Sequence, residues 1–265
     1  MAGWLQRLVE AFVSFGSARN WSCKYHGGAH WQDEVVSECS ERLGVCTSKW
    51  YLHGNLVAAH ILLGGARLLV LTDAGYPTPT TLSRLNAALS AVLERFAPGA
   101  AMGVGLKYWN RIGEEPKPVR TFLDACGRTY VREKYYIAVV GGEAHLLNPC
   151  EGEVYFFMHH PRLRRLWRLS SEVEEHLQHA YSMLLSARWR LWLDVDERIA
   201  KLLKWRGELL ILEEEVRKAI GLERWGVYAC ANHAVAAAVL RELARAAAAL
   251  RREAEEIYAL AQLVA

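Results

Sequence analysis

The stretch LGGARLLVLTDAGYPTPTTLSRLNAALSAVLERF, residues 63–96, determines the predicted fold of the first part of the chain. Its apolar run RLLVLT predicts a buried strand, and the following DAGYP predicts a loop. Thr78 and Pro79 are a favourable N-cap and first-turn pair, so we expect a helix from there to about Phe96. A helix between two strands usually forms a right-handed crossover, which predicts at least one parallel pair of strands.

Further elements are predicted on either side of this stretch. Residues 56–63 have helical spacing and end at two glycines, which indicates a helix, whereas residues 101–109, 135–140 and 153–158 have the composition of strands. The apolar residues of the first fifteen positions recur at helical spacing. We expect the protein's own core to cover the resulting apolar stripe.

Helical patterns occupy the chain from residue 161 onward. Capping-box signatures begin at Ser171 and Asp194, and Gly207 is a candidate interruption. Residues 235–264 keep an apolar spacing that predicts a helix of about thirty residues. Its apolar seam could pack within a bundle, or it could form the interface with a protein partner or a second copy of the chain.

These patterns predict an α+β protein with two domains. An N-terminal mixed α/β unit, residues 1–160, would hold a sheet of four or five strands, and residues 161–265 would form an antiparallel helical bundle. The 265 residues suffice for one large core or two modest ones, and 52% of them are hydrophobic, which excludes a disordered chain.

Composition and hydropathy also limit which cellular compartments and which binding partners we expect. The formal net charge of +3 gives no strong overall positive field, so any contact with nucleic acid has to come from a local patch. No apolar stretch reaches the roughly 18 uncharged residues of a spanning helix, and the first residues lack the pattern of a signal peptide. We therefore expect a cytoplasmic protein without membrane contact. Scarce Asn and Gln favour a thermophilic, archaeal source, in which intracellular disulfides occur.

A cluster of cysteine and histidine residues follows the first predicted helix. Its spacing, Cys23-x2-His26 with Cys39 and Cys46 farther on, offers four ligands of the type that a structural zinc ion takes. Six residues and a predicted helix separate Cys39 from Cys46, whereas the second ligand pair of such sites is usually about two to four residues apart. Buried thiols or a disulfide are the alternative.

Arg19 and His26 form a second candidate site within the same segment. The sequence Arg19-Asn20-x5-His26 resembles the Arg-x4-6-His motif of HEPN ribonucleases. The resemblance implies that Arg19 would neutralise charge on a scissile phosphate while His26 moves a proton. In that family the motif lies late in an all-helical bundle, whereas here it follows a single helix and precedes the α/β region.

Asp73 is the third candidate, because it follows the best predicted strand, where open α/β sheets place their ligands. The surrounding Asp-Ala-Gly-Tyr-Pro-Thr-Pro is similar to a segment of the ribose pyranase/fucose mutarotase family. That family has a catalytic His where Gly65 stands here, so the resemblance implies only that Asp73 faces a crevice lined by loops. An Asp that caps the turn before Gly75 is the alternative.

A basic and aromatic cluster in the helical part is a candidate surface for nucleic acid. Arg side chains bind phosphates bidentately and Trp can stack on bases, which suits RNA or single-stranded DNA. The pattern continues with Lys201, Lys204, Trp205 and Arg206, although Trp at helical spacing also suits a core covered by Arg stems. The main cluster consists of Arg162, Arg164, Arg165, Trp167, Arg168, Arg188 and Arg190.

Three function hypotheses follow. The leading one is a nucleic-acid-associated protein, such as a subunit of an archaeal RNA-processing or defence complex. The second is a small enzyme, hydrolase-like or nuclease-like, that uses Asp73 and the region of Cys23 and His26. The third is a structural assembly protein with a helical oligomer interface. The sequence contains no Walker A, GxGxxG, GxSxG or HExxH motif, which excludes the common nucleotide-binding and hydrolase templates.

Overall fold

A computed structural model describes most of the chain. The described residues are 3–25, 28–76, 78–101, 135–147, 154–156, 175–180, 182, 192–219, 227–229 and 233–264. The strands are β1 (Ala18–Tyr25), β2 (Gly28–Ser40), β3 (Val45–Leu52), β4 (Asn55–Leu63), β5 (Ala66–Leu71), β6 (Tyr135–Val140), β7 (Glu143–Leu146), β8 (Val154–Phe156) and β9 (Val227–Ala229). The helices are α1 (Gly3–Ser14), α2 (Pro79–Phe96), α3 (Pro98–Ala101), α4 (Trp192–Ala219) and α5 (His233–Val264), and residues 175–180 are also helical.

Strands β1 to β7 form one sheet in which their order along the sheet is their order along the chain. Every described strand pair is antiparallel, so the prediction of a parallel pair is wrong. The sheet has seven strands, so the prediction of four or five strands is also wrong. The crossover rule fails because β6 begins at Tyr135, opposite Leu71, at the end where β5 stops. A parallel neighbour would instead begin at the opposite end of β5. The mixed α+β class is confirmed.

The predicted helix over residues 56–63 is wrong, because this segment is the central strand β4. Helices cover both faces of the sheet, so a central strand has few polar positions and its apolar run resembles that of a buried helix. In β4, Val57 packs toward α1 and α2, whereas Ile61 and Leu63 pack toward α4 and α5. The glycines that follow form the turn to β5, and Gly64 takes the left-handed φ of +54° that this turn needs.

The elements predicted around residues 63–96 are confirmed. The strand lies at Ala66–Leu71 and the helix at Pro79–Phe96, and the Thr78 side chain accepts a hydrogen bond from the Thr81 N–H as an N-cap does. Strand β6 also lies where it was predicted, and β8 lies within 153–158. Of the predicted strand at 101–109, only Ala101 lies among the described residues, and it belongs to α3.

Two helical layers enclose the sheet. Within β5, Leu69 and Leu71 pack with α1 and α2, and Leu68 and Val70 pack with α4 and α5. This alternation of period two is what a strand covered on both faces produces. The first helix buries Leu5, Leu8, Phe12 and Val13, so the expectation that the core covers its apolar stripe is confirmed.

The C-terminal helices form a layer on the sheet. In the described part of the chain, α4 and α5 share one buried cluster with strands of the sheet, where we expected a bundle with a core of its own. The 32-residue α5 confirms the long terminal helix. Helix α4 begins at Trp192 and continues through Gly207, so Asp194 is not its cap and the predicted interruption is wrong. A glycine inside a helix costs only about 1 kcal/mol, which packing on the sheet can offset.

The expected domain boundary near residue 160 lies outside the described residues and stays a prediction. No helix within the described ranges is long and apolar enough to cross a membrane.

Candidate functional site

Asp73 lies just beyond the end of β5, in the turn that leads to α2. Its Oδ1 accepts a hydrogen bond from the Gly75 N–H at 2.9 Å, and its carbonyl accepts one from the Tyr76 N–H at 2.8 Å. Ala74 and Gly75 take left-handed φ values of +52° and +82°, and for Ala74 that conformation costs about 1–2 kcal/mol. The tight turn therefore fixes the Asp73 carboxylate through one of its two oxygens.

The second carboxylate oxygen of Asp73 is buried, and it has no hydrogen-bond partner among the residues that the structure describes. Asp73 as a whole is 1% exposed. A buried polar atom without a partner is uncommon in folded proteins, and it costs about 1–3 kcal/mol or more when the group is charged. Oδ1 therefore caps the turn, which is one of the two interpretations that the sequence allows for Asp73.

Asp73 lines a cavity of about 470 Å³ between the β3–β4 turn and the start of α2. His53 and Gly54 form that turn with left-handed φ values of +50° and +81°. Thr78 Oγ1 accepts from the Thr81 N–H at 3.2 Å and lies 3.0 Å from the Thr81 hydroxyl. The cavity is lined by Leu52, His53, Asn55, Val57, Asp73, Tyr76, Thr78, Thr80 and Thr81.

A buried ion pair between β2 and α2 lies next to the cavity. Asp33 of β2 lies opposite Leu52, and its carboxylate binds Arg84 of α2 through two contacts, Nε–Oδ1 at 3.0 Å and Nη2–Oδ2 at 2.9 Å. Trp50 Nε1 donates to Asp33 Oδ1 at 3.1 Å, and Asn20 Nδ2 approaches Asp33 Oδ2 at 3.5 Å. Arg84 is one helical turn from Thr81, so the pair fixes α2 against the sheet beside the cavity.

Sequence reasoning missed these supporting residues. Asp33 lies two residues before the buried Val35, on the same face of β2, and Arg84 shares a helical face with Thr81 and Leu85. Charged residues at inward positions of a strand and a helix are signals of a buried pair, because a lone buried charge is too costly. Asp33 can be recognised as an inward-facing charge only when β2 is first predicted as a strand.

His60 occupies the middle of β4 and is fully buried among three phenylalanine rings. Its Nδ1 lies 3.3 Å from the Phe12 carbonyl oxygen, and its Nε2 lies 3.3 Å from Nη1 of Arg67. A carbonyl only accepts and a guanidinium only donates, so Nδ1 carries the hydrogen and Nε2 accepts. Burial is the largest cause that lowers the pKa of His60 to about 4; the positive charges of Arg67 and Arg95 act in the same direction, and the hydrogen bond with the Phe12 carbonyl opposes them.

The structure joins Cys39 and Cys46 in a disulfide between directly paired residues of β2 and β3. The helix expected between them is wrong, because residues 41–44 form a turn and the Gly44 N–H donates to the Glu41 carbonyl. Disulfide sulfurs are not the thiolates that zinc takes as ligands. Cys23 lies on β1 and His26 lies outside the described residues. Within the described ranges, no three or more His, Cys, Asp or Glu side chains are placed to hold a metal ion.

Arg19 lies on the edge strand β1, where its Nε binds Glu34 Oε1 at 2.7 Å. The Arg19 side chain is 58% exposed. Three strands separate β1 from β5, so Cys23 and Asp73 belong to different regions of the sheet. Because His26 lies outside the described residues, its pairing with Arg19 in a nuclease-like site stays a prediction.

The predicted nucleic-acid surface also lies outside the described residues, in all seven of its main positions: Arg162, Arg164, Arg165, Trp167, Arg168, Arg188 and Arg190. The four residues that continue the pattern, including the half-buried Arg206, are described, and the contacts of three of them are as follows. Trp205 is buried in the core, Lys201 pairs with Glu197, and Lys204 pairs with Glu38 of β2. These three residues take part in packing and ion pairing within the chain.

Comparisons of this chain with protein-family models, with curated proteins and with solved structures found no match.

Proposed function

We propose that the protein binds a small organic molecule that donates hydrogen bonds, and that it does so in the Asp73 cavity. The observation that carries this proposal is the buried Asp73 Oδ2, which lacks a partner among the described residues and belongs to a residue that lines a cavity of about 470 Å³. Ligand cavities typically have volumes of about 300–1,000 Å³ and combine apolar walls with a few fixed polar groups. Leu52 and Val57 provide apolar wall here, and the threonines and Asn55 provide polar groups.

The charge of the cavity argues against a phosphorylated ligand. Phosphate sites use Arg, Lys or free backbone N–H groups, whereas the nine described lining residues include neither Arg nor Lys. At the start of α2, Pro79 has no N–H and the Thr81 N–H donates to Thr78, so these two positions offer no free backbone donor to an anion. A carboxylate would also repel an anion. The ligand that fits is therefore a neutral or cationic donor.

The test compares wild-type protein with Asp73→Asn in a binding panel of small polyols and small amines, measured by thermal shift and calorimetry. Asparagine keeps an oxygen that can accept from the Gly75 N–H, so the turn should survive. It replaces the unpartnered oxygen by a donor. We expect a saturable rise in Tm for at least one class of ligand in the wild type and an affinity about tenfold or more lower in Asp73→Asn, the loss of one charge-assisted hydrogen bond.

The matched control is Glu94→Gln, which removes an exposed carboxylate from α2. It should bind as the wild type does. The proposal fails if no member of the panel binds the wild type, or if Asp73→Asn binds as tightly as Glu94→Gln.

Association with RNA or single-stranded DNA stays a prediction from the sequence. If the Arg/Trp cluster binds nucleic acid, affinity for a single-stranded oligonucleotide should fall as salt rises, and it should fall further when Arg164 and Arg165 become Ala. Each lost phosphate contact should reduce the slope of log affinity against log salt by about 0.7 on a single strand. Tight binding that neither salt nor the double substitution changes would contradict this hypothesis.

A further inference from the structure

We propose that the ligand of the Asp73 cavity is a small organic cation whose ammonium group binds Asp73. This inference rests on the proposed function and specifies the class of ligand. It starts from the charge of the cavity, which contains one carboxylate and one imidazole but, among its described residues, no Lys or Arg. A buried carboxylate that lacks a counter-ion is costly, and a ligand that brings a positive charge relieves that cost.

The guanidinium of Arg84 does not supply this charge. Arg84 is one turn along α2 from Thr81, but its two guanidinium hydrogen bonds within the described ranges go to Asp33, at 3.0 and 2.9 Å. A bidentate pair of this kind largely neutralises both partners. A neutral polyol would give Asp73 Oδ2 a hydrogen bond but no compensating charge, so an ammonium group fits better.

The other polar groups of the cavity match what an ammonium group needs. An ammonium carries three N–H donors and no acceptor. The hydroxyls of Thr78 and Thr81 have oxygens that can accept, and Asn55 uses its Nδ2 toward the His53 carbonyl, which leaves its amide oxygen as an acceptor. Asp73 Oδ2 completes a set of oxygen acceptors from three different segments of the chain.

A metal ion fits this cavity less well than an organic cation. Calcium takes about six to eight oxygen ligands, usually including several carboxylates, and magnesium requires a near-ideal octahedron. Asp73 is the one carboxylate among the nine described lining residues. Leu52 and Val57 would face a metal ion without ligating it, whereas they can pack against the alkyl part of an amine.

Tyr76 lies at the mouth of the cavity and is 59% exposed. Its ring can attract a cation through its π face, which is worth about 0.5–1 kcal/mol at an exposed site. Asp73 Oδ2 is itself buried, so the ammonium group would have to enter beneath the turn at residues 74–76. Because its side chain is exposed, Tyr76 could move aside to admit the ligand.

The test uses pairs of probes that differ in charge and little in size. One pair is 1,4-diaminobutane and 1,4-butanediol, and the other is ethanolamine and ethylene glycol. Binding is measured by calorimetry at neutral pH and constant ionic strength on the full chain. We expect at least one amine to bind ten times or more tightly than its alcohol, and we expect Asp73→Asn to bring that ratio close to one.

A second variant keeps the test decisive if Asp73→Asn does not fold. Tyr76→Leu changes an exposed side chain, so it should fold, and it should weaken the amine two- to fivefold while leaving the alcohol unchanged. A magnesium or calcium salt, added alone, is the third probe. Alcohols that bind as tightly as amines would overturn the ammonium inference and leave the proposed function intact. A metal ion that binds while neither amines nor alcohols bind would overturn both proposals. If no probe binds the wild type, both proposals fail.

Discussion

Replacing Arg84 by Met lowers the free energy of unfolding by about 3–5 kcal/mol, the loss expected when one partner of a buried ion pair is removed. The side chains of Asp33 and Arg84 are 0% and 9% exposed, and they share two contacts of 2.9–3.0 Å. Without Arg84, the Asp33 carboxylate stays buried, and among the described residues Trp50 and Asn20 are its remaining side-chain donors. The measurement is urea denaturation of the wild type and the variant at neutral pH.

Arg95→Met is the matched control, because Arg95 also lies on α2 and also binds a carboxylate. Its Nη1 lies 3.1 Å from Oε1 of Glu10, but the two side chains are 49% and 69% exposed. Exposed pairs contribute about 1 kcal/mol or less, so this variant should be almost as stable as the wild type. Equal losses in Arg84→Met and Arg95→Met would contradict the buried pair.

A double variant separates the pair from its surroundings. Asp33→Leu together with Arg84→Met removes both charges and should lose less stability than the sum of the two single changes. It should not recover fully, because the Trp50 N–H and the Asn20 amide each lose an acceptor, at about 1–3 kcal/mol per buried group. A loss equal to the sum would mean that Asp33 and Arg84 act independently.

The parts of the fold that could be predicted are those whose signal is local. Adjacent residues or helical turns contain the whole pattern for three elements: the Thr78-Pro79 cap, the apolar run of β5 and the 32-residue α5. Strand β4 could not be distinguished from a helix, because burial on both faces removes the alternation that identifies a strand. The direction of β6 relative to β5 could not be predicted from the sequence either, because it depends on where the chain returns to the sheet after α2.

The candidate site shows the same limit. The position of Asp73 was predictable because it follows a strand directly, and the turn cap, one of its two interpretations, is formed by Oδ1. His53 and Asn55 were missed, because the hairpin that brings them to Asp73 includes the strand that was mistaken for a helix. The pairing of Cys39 with Cys46 was left open, because spacing alone does not distinguish a metal ligand from a cross-strand disulfide.

His60 makes the stability of the protein depend on pH between about 6.5 and 4. Its pKa is about 4 in the folded chain, whereas the ordinary histidine value of 6.5 applies to the unfolded chain. Between these values the unfolded state binds the proton and the folded state does not, so stability falls as pH falls through this window. The full contribution is present above pH 6.5, and the loss reaches about 3 kcal/mol near pH 4.

The change that tests this is His60→Asn, compared with the wild type by denaturation at intervals from pH 7.5 to 4. Asn can still donate to the Phe12 carbonyl, but it does not titrate in this range. Protonation of carboxylates in ion pairs also lowers the stability of the protein in acid. This happens in both the wild type and the variant, so the informative quantity is the difference between the two curves. Between pH 6.5 and 5 the wild type should lose about 1–2 kcal/mol more than the variant. Parallel curves would mean that His60 accepts its proton without unfolding, and that the contacts with Phe12 and Arg67 do not keep the imidazole neutral.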